Sequence, residues 1–442
     1  MTNRVFAASF ILLACWLPCA AQDASTAAVA GRGLTLADGI ALAVNNNLSM
    51  KLAAAQTDEA KAAAVQSAAA LLPHLAGSAS QTRTFRENLD ALGFAGYGYI
   101  GPFNTFDARL TLVQDLFNWN SYSRLHSAEQ KKKSAELRRD LASEQVSAAA
   151  ALAYIDVLRA AAALDAAQAD ERLARELLAL AVERHSAGTA TGLDVAREKT
   201  RVAEVHSKVL YAQVSCDDAA LRLRHVIGLP LDENINLSDV LGAGATAFPQ
   251  VPDAISSALN DRLELAIGRV ELSAADYSID AAKSGHLPTL SVIGDLALSG
   301  MNPDSGAGSV GDIGVQLRLP LFEGGAVSAG VRQAEAAKTE VAARVADMTV
   351  QVEQDVRLAL KQLVAAVEQV STAQEAVELA LSELDMAQGR FAAGVGDNVE
   401  LVNAQTALSE ARAARVAALA DYNNSKINLA LAQGHMRAFS IR

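Results

Sequence analysis

The stretch that decides the fold is Leu287-Pro288-Thr289-Leu290-Ser291-Val292-Ile293-Gly294-Asp295-Leu296-Ala297-Leu298-Ser299, answered by Ile313-Gly314-Val315-Gln316-Leu317-Arg318-Leu319. In the first run Leu290, Val292, Leu296 and Leu298 alternate with Ser291, Asp295 and Ser299. In the second, Ile313, Val315, Leu317 and Leu319 alternate with Gly314, Gln316 and Arg318. Successive side chains of a strand point to opposite faces, so this period of two predicts paired strands with one apolar and one polar face. Runs of about ten residues with that pattern mark the strands of an outer membrane barrel, which turn apolar side chains to lipid and polar ones to water. The alternative is an ordinary antiparallel sheet with one buried face, but it would need a covering layer, and the rest of the chain reads as long helices.

The same arrangement occurs earlier in the chain, a little over 200 residues away. Leu72-Pro73-His74-Leu75 returns as Leu287-Pro288-Thr289-Leu290, and Asp115-Leu116-Phe117 as Pro320-Leu321-Phe322. Arg184-His185-Ser186-Ala187-Gly188 returns as Arg390-Phe391-Ala392-Ala393-Gly394, and the helices that follow end at Gly228 and Gly434. Each copy runs helix, strand pair, long helix, turn, helix. In the first copy Phe106, Ala108, Leu110 and Leu112 alternate with Asp107, Arg109 and Thr111, whereas residues 75–85 alternate poorly. Nine of the chain's 20 aromatic residues lie between Phe85 and Tyr122, as a segment meeting both membrane interfaces requires.

Between the strand pairs the period changes. Val356, Leu363, Val367, Val370, Val377, Leu381 and Leu384 are spaced by sevens or by fours and threes, the spacing of a coiled-coil seam, and Leu141, Ala148, Leu152 and Ile155 form a looser version. Residues 120–185 and 326–391 contain no Pro and hardly any Gly, so each reads as one unbroken helix of roughly 100 Å. The segments 35–71 with 190–228, and 253–285 with 397–434, are each about half that length, so that two stacked end to end match one long helix. Four strands cannot close a barrel, and an open sheet edge in lipid leaves backbone groups unsatisfied at several kcal/mol each. The chain therefore has to oligomerise. Two copies give 8 strands and a barrel filled by its own side chains, and three give 12 with room for a pore.

Residues 1–21 read as a secretory signal, with Arg4 before an apolar core from Val5 to Leu17 and small residues at Cys19-Ala20-Ala21. Cys15 after Leu12-Leu13-Ala14 loosely imitates a lipoprotein processing site. Beyond the signal only Cys216 remains, which allows neither an internal disulfide nor a cysteine-based metal site. No uncharged apolar run of about 18 residues follows, so entry into a membrane has to be by strands. The net charge of -12 argues against nucleic-acid binding, and Lys131-Lys132-Lys133 reads as a solvated helix face. The seven His residues form no metal-ligand spacing, and His185, His206 and His225 fall in helical stretches as surface or packing residues. No phosphate loop or catalytic constellation is present, so neither an enzyme nor a cofactor is expected.

The sequence resembles the TolC-like outer membrane efflux proteins over essentially the whole chain after the signal. The resemblance is carried by Leu-Pro-x-Leu at 72–75 and 287–290, by Pro320-Leu321-Phe322-Glu323-Gly324-Gly325, by the repeated Arg-x-x-Ala-Gly turn and by the opening Leu34-Thr35-Leu36-Ala37-Asp38-Gly39-Ile40. It implies a mainly α protein with a transmembrane β-barrel: a coiled-coil α-helical barrel plus four strands per chain, closed as a homotrimer with 12 strands. It further implies an outer membrane location with a periplasmic extension in a Gram-negative-type bacterium. The implied role is exit duct for an inner-membrane pump or type I secretion apparatus, reached through a periplasmic adaptor. The division is a signal at 1–21, repeats at 22–228 and 253–434, a linker at 229–252 and a tail at 435–442.

The periplasmic entrance of that family lies at the helix-turn-helix tips, here Arg184 to Arg197 and Arg390 to Asn403. The resemblance places Glu400 and Asp194 at the narrowing lumen, where acidic rings select cations. Read from the residues alone, both carboxylates sit in the first turn of a helix, where they favour its positive end. Asn403 stands where the family pattern has a second acidic residue, and Gly396 where it has an Arg that ties neighbouring coils. Phe391 matches an aromatic of the same latch without its hydroxyl. Ala187, Gly188, Ala393 and Gly394 are small enough to admit an adaptor's helical hairpin, or simply to pack a tight turn. The competing reading is a periplasmic adaptor, which would show one hairpin flanked by compact β domains. A self-sufficient porin would need many more strands in one chain.

Overall fold

The computed structural model describes residues 33–436 and 439, apart from 89, 90, 92, 94, 95, 97, 245–247 and 305. The signal reading of residues 1–21 and most of the tail lie outside the described residues. The chain runs α1 (Leu36–Asn46), α2 (Leu48–Ala69), β1 (His74–Thr84), β2 (Glu87–Asn88), β3 (Tyr99–Ile100), β4 (Phe103–Phe117), α3 (Trp119–Ser186) and α4 (Gly192–Ile227). It continues with α5 (Val251–Asp261), α6 (Leu263–Lys283), β5 (Thr289–Gly300), β6 (Gly308–Arg318), α7 (Ala326–Ala392) and α8 (Asn398–Gln433). The 68 residues of α3 and 67 of α7 are continuous, about 100 Å each at the helical rise. One 18-residue window within α3 is apolar enough to cross a membrane by length and composition, but half of it is buried inside the protein.

The strands form one antiparallel sheet in the order β1-β4-β5-β6, while β2 and β3 make a small ribbon within the β1–β4 connection. Register carries the alternation across all four strands. Leu75 lies opposite Leu112, Leu110 opposite Leu296, Ala108 opposite Leu298, and Val292 opposite Val315, so these side chains share one face. Asp107, Arg109, Thr111, Asp295 and Asp312 share the other, where Thr111 donates to Asp295 at 2.7 Å and Arg109 lies 3.6 Å from the same carboxylate. β1, whose alternation is weak in sequence, is fixed by eleven consecutive pairings with β4. All eleven residues of β6 are exposed, and among the described residues no second layer covers the sheet.

The helices pack as a single row. α2 and α4 lie on α3, α3 lies on α6 and α8, and those lie on α7. On α7 the buried positions are Val352, Val356, Ala359, Leu360, Leu363, Ala366, Ala373, Val377, Ala380, Leu384, Ala387 and Phe391, and apart from Leu360 they fall in steps of four and three once half-buried Val370 is included. The sequence-based seam is thus right at Val356, Leu363, Val377 and Leu384. It differs at Val367, which is half-buried, and Leu381, which is exposed, because alanines take the intervening positions. A large side chain followed by Ala brings the helix axes close, and each buried Val or Leu contributes about 1.5–3 kcal/mol.

The segments 35–71 and 253–285, expected as single helices, are each broken once. Asn47 ends α1 and caps α2, accepting from the Ser49 amide while its own amide donates to the Val226 carbonyl at 2.8 Å. Arg262 holds the corresponding joint with Glu264 and Asp355. At these joints arrive the C-termini of α4 and α8. A Cβ on Gly228 would lie 2.7 Å from Cβ of Asn46, and one on Gly434 would lie 3.1 Å from the Asp261 carbonyl, so only glycine lets the ends approach. Close to this level two buried tyrosines strap down the connection between the halves. Tyr154 donates its single proton at 2.8 Å to the Leu34 carbonyl and the Asp239 carboxylate, and burial pushes its phenol well above the ordinary value. Tyr422 donates to the Gly244 carbonyl at 2.6 Å. Replacing Tyr154 with Phe is expected to lower stability by about 1.5–3 kcal/mol, measured by denaturant unfolding, and to speed proteolysis within residues 229–244.

Candidate functional site

Both hairpin tips are built by the same backbone device. In the first, the amides of Ala187, Gly188 and Thr189 donate to the carbonyls of Glu183, His185 and Arg184, and in the second those of Ala393, Gly394 and Val395 donate to Gly389, Phe391 and Arg390. Gly188 and Gly394 take φ of +75° and +78°, a left-handed turn that side chains disfavour. His185 adds a contact from Nδ1 to the Ala190 carbonyl at 2.9 Å and so has a packing role within the turn. Ala187, Gly188, Ala393 and Gly394 are all exposed at the apex.

The acidic residues are held differently at the two tips. Asp194 is half-buried and completes a capping box with Thr191: its carboxylate accepts from the Thr191 amide at 2.8 Å and hydroxyl at 2.7 Å. Those two hydrogen bonds, with help from Arg197 and Arg184 and against a smaller cost of burial, hold the Asp194 carboxyl below the usual range. A depressed pKa means that the cap contributes above the ordinary Asp value and is lost only as pH falls below it. At the second tip Asp397 caps α8 instead. Glu400 is left exposed, paired with Arg390 Nε at 3.1 Å, and Asn403 is exposed three residues further on.

Three contacts between residues far apart in sequence join the two tips, and none is visible in either segment alone. The Arg184 guanidinium lies 4.6 Å from the centroid of the buried Phe391 ring, a cation–π contact that needs no phenol hydroxyl. Asn398 donates from Nδ2 to the Asp194 carbonyl at 3.2 Å. The apolar floor beneath is shared, with Leu177 of α3 against Leu384, Phe391, Leu401 and Leu408. Gly396 has a local reason: a Cβ there would lie 2.9 Å from Cβ of Arg390, so the tight second turn admits no larger residue without a shift. Among the described residues no cluster of His, Cys, Asp and Glu could hold a metal ion. Replacing Asp194 with Ala is expected to remove about 1 kcal/mol of cap stability and to raise hydrogen exchange over residues 192–197, with α8 unaffected.

Residues 39–229 and 254–435 match the model of the outer membrane efflux protein family. The alkaline protease secretion protein AprF of Pseudomonas aeruginosa is 24% identical over 387 residues, covering 86% of this chain and 80% of that one. The outer membrane protein TolC of Escherichia coli is 25% identical over 347 residues, covering 75% and 70%. The crystal structure of the CmeC outer membrane channel of Campylobacter jejuni superposes with a TM-score of 0.81 at 20% identity, over 90% of this chain and 85% of that one.

Proposed function

The chain belongs to the outer membrane efflux protein family, and on that footing we propose that three copies form an outer membrane exit duct for efflux or type I secretion. One observation carries the reading: the unpaired edges of the sheet and of the helix row fall on the same two sides of the chain. β1 follows directly from α2, and β6 leads directly into α7. One lateral contact between copies therefore joins β6 to the next β1 and α7 to the next α2 and α4. Because the strands alternate in direction, that new pair is antiparallel as well. The helix edges are apolar where they lack a partner: Tyr211 and Val214 on α4, Val65 on α2, and Val350, Leu379 and Met386 on α7 are all more than half exposed. Three copies give a 12-stranded barrel with an open lumen, continuous with a ring of helices.

In this arrangement the apolar sheet face meets lipid, and the face carrying Asp107, Arg109, Asp295 and Asp312 lines the pore. The tips lie at the far periplasmic end, so Asp194, Glu400 and Asn403 surround the entrance. Glu400 is the more exposed of the two carboxylates, paired at the surface with Arg390, whereas the Asp194 carboxylate is half-buried in its cap. Ala187, Gly188, Ala393 and Gly394 form the apex against which the helical hairpin of a periplasmic adaptor docks, linking the duct to an inner-membrane pump. The substrate is passively conducted, and its selection lies with the pump. No catalytic step or cofactor enters this role.

Electron microscopy of the detergent-purified protein is expected to show a threefold tube well over 100 Å long, as the helix lengths require. A compact monomer would overturn the assignment. In planar bilayers Glu400→Gln is expected to lower the preference for cations over anions several-fold with conductance retained, whereas Asn403→Asp raises it.

A further inference from the structure

Just inside the tips, α4 meets α8 through side chains that a helix seam ordinarily excludes. The inward positions of α4 are Asp194, Glu198, Arg201 and Val205, in steps of four, three and four. Glu198 is 0% exposed, Arg201 7%, and on α8 Asn398 and Gln405 are 1% and 4%. Both carboxylate oxygens of Glu198, Nε of Arg201, both ends of the Gln405 amide and Oδ1 of Asn398 complete no hydrogen bond. Gln405 and Arg201 are close enough to draw the Glu198 carboxyl down, but burial outweighs them and holds it above the ordinary carboxylate range, with Asp194 adding to the rise. Arg201 turns instead towards Glu204, at 3.4 Å.

The surrounding charges are accounted for. Asp194 and Arg201 of the same helix act on Glu198 directly. From α8 come the neutral Asn398 and Gln405, while Asp397 caps Val399 and Glu400 pairs with Arg390 of α7. α3 contributes Leu177 and Ala181 to the core, and its Arg184 lies on Phe391. An apolar or hydrogen-bonded seam would bind α4 more firmly than these unsatisfied polar groups do.

We propose that Glu198 is a positioning residue for the periplasmic entrance: while its carboxyl is neutral α4 stays packed against α8, and its ionisation parts the two helices and widens the passage. This rests on the reading of the tips as the entrance of a duct. The packed state raises the carboxyl above its value in the parted, hydrated state, so packing is favoured at low pH and lost as pH rises through the raised value. The window therefore lies above the ordinary carboxylate range of about pH 4. Each unit of difference between the two states changes the ratio of parted to packed tips by about tenfold.

Two measurements on the full detergent-purified protein test this. In planar bilayers the conductance of the unaltered protein is expected to rise several-fold as pH is raised upwards from the ordinary carboxylate range of about 4. Glu198→Gln holds the low value throughout, and Glu198→Asp restores the dependence. Spin labels on Lys199→Cys and Asn403→Cys, in a Cys216→Ser background, report the separation of α4 and α8 without reference to a pore. The distance is expected to lengthen with pH and to stay constant when Glu198→Gln is added. A conductance and a distance that still change with pH in Glu198→Gln as they do in the unaltered protein, or that do not change with pH in the unaltered protein, would overturn the inference. Pore formation failing while the distances still respond to pH would overturn the duct and leave the switch standing. Should Glu198→Gln misfold, Gln405→Leu serves as the second variant, since it removes a group that favours ionisation and is expected to move the transition to higher pH.

Discussion

A four-stranded sheet placed in hydrocarbon has two rows of backbone amides and carbonyls with nothing to bond, each at a cost of several kcal/mol. The rest of this molecule is arranged around that deficit. β1 and β6 are the outer strands of the order β1-β4-β5-β6, and they run in opposite directions, so one copy's deficit is another's complement. The helices inherit the same sidedness because each outer strand is joined to an outer helix by only a few residues. In the proposed assembly membrane closure and periplasmic closure are thereby one event, which would cover the exposed apolar side chains of α4 and α7.

The long helices are held by regularity more than by bulk. Alternating Val or Leu with Ala along nearly forty residues of α7 keeps the helix axes close without demanding large side chains, and it suits a sequence that is 51% hydrophobic yet only 5% aromatic. Against that background the tip is chemically distinct. Near the tip, α8 puts Leu401 and Leu408 into the apolar floor shared with α3 and α7, while its Asn398 and Gln405, with Glu198 and Arg201 of α4, are buried polar side chains.

How much of this the sequence discloses depends on the distance over which each feature is determined. The long helices, the turns at Gly188 and Gly394, and the alternation in β4, β5 and β6 are local and can be read directly. The break at Asn47 cannot, because α1 and α2 are equally helix-prone and the joint is set by the arrival of α4's C-terminus, some 180 residues later, at the Val226 carbonyl. β1 is a strand by virtue of β4. Val367 and Leu381 are plausible seam residues displaced by alanines that periodicity alone ranks lower. At the tips, Asp194 and Glu400 look alike in sequence, and only the structure separates a carboxylate spent on Thr191 from an exposed one paired with Arg390. Glu198 carried a signal that could have been noticed: an acidic residue on the same heptad stripe as Val205.

The joints at Asn47 and Arg262 have a mechanical meaning. α3 and α7 run unbroken past the level at which their neighbours are butted end to end, as courses of brick overlap the gaps in the course beside them. No cross-section severs every helix, so a pull along the axis is carried past each gap by an intact rod. The same bond confines bending: the joints lie far from the tips, and each is spanned by an unbroken helix.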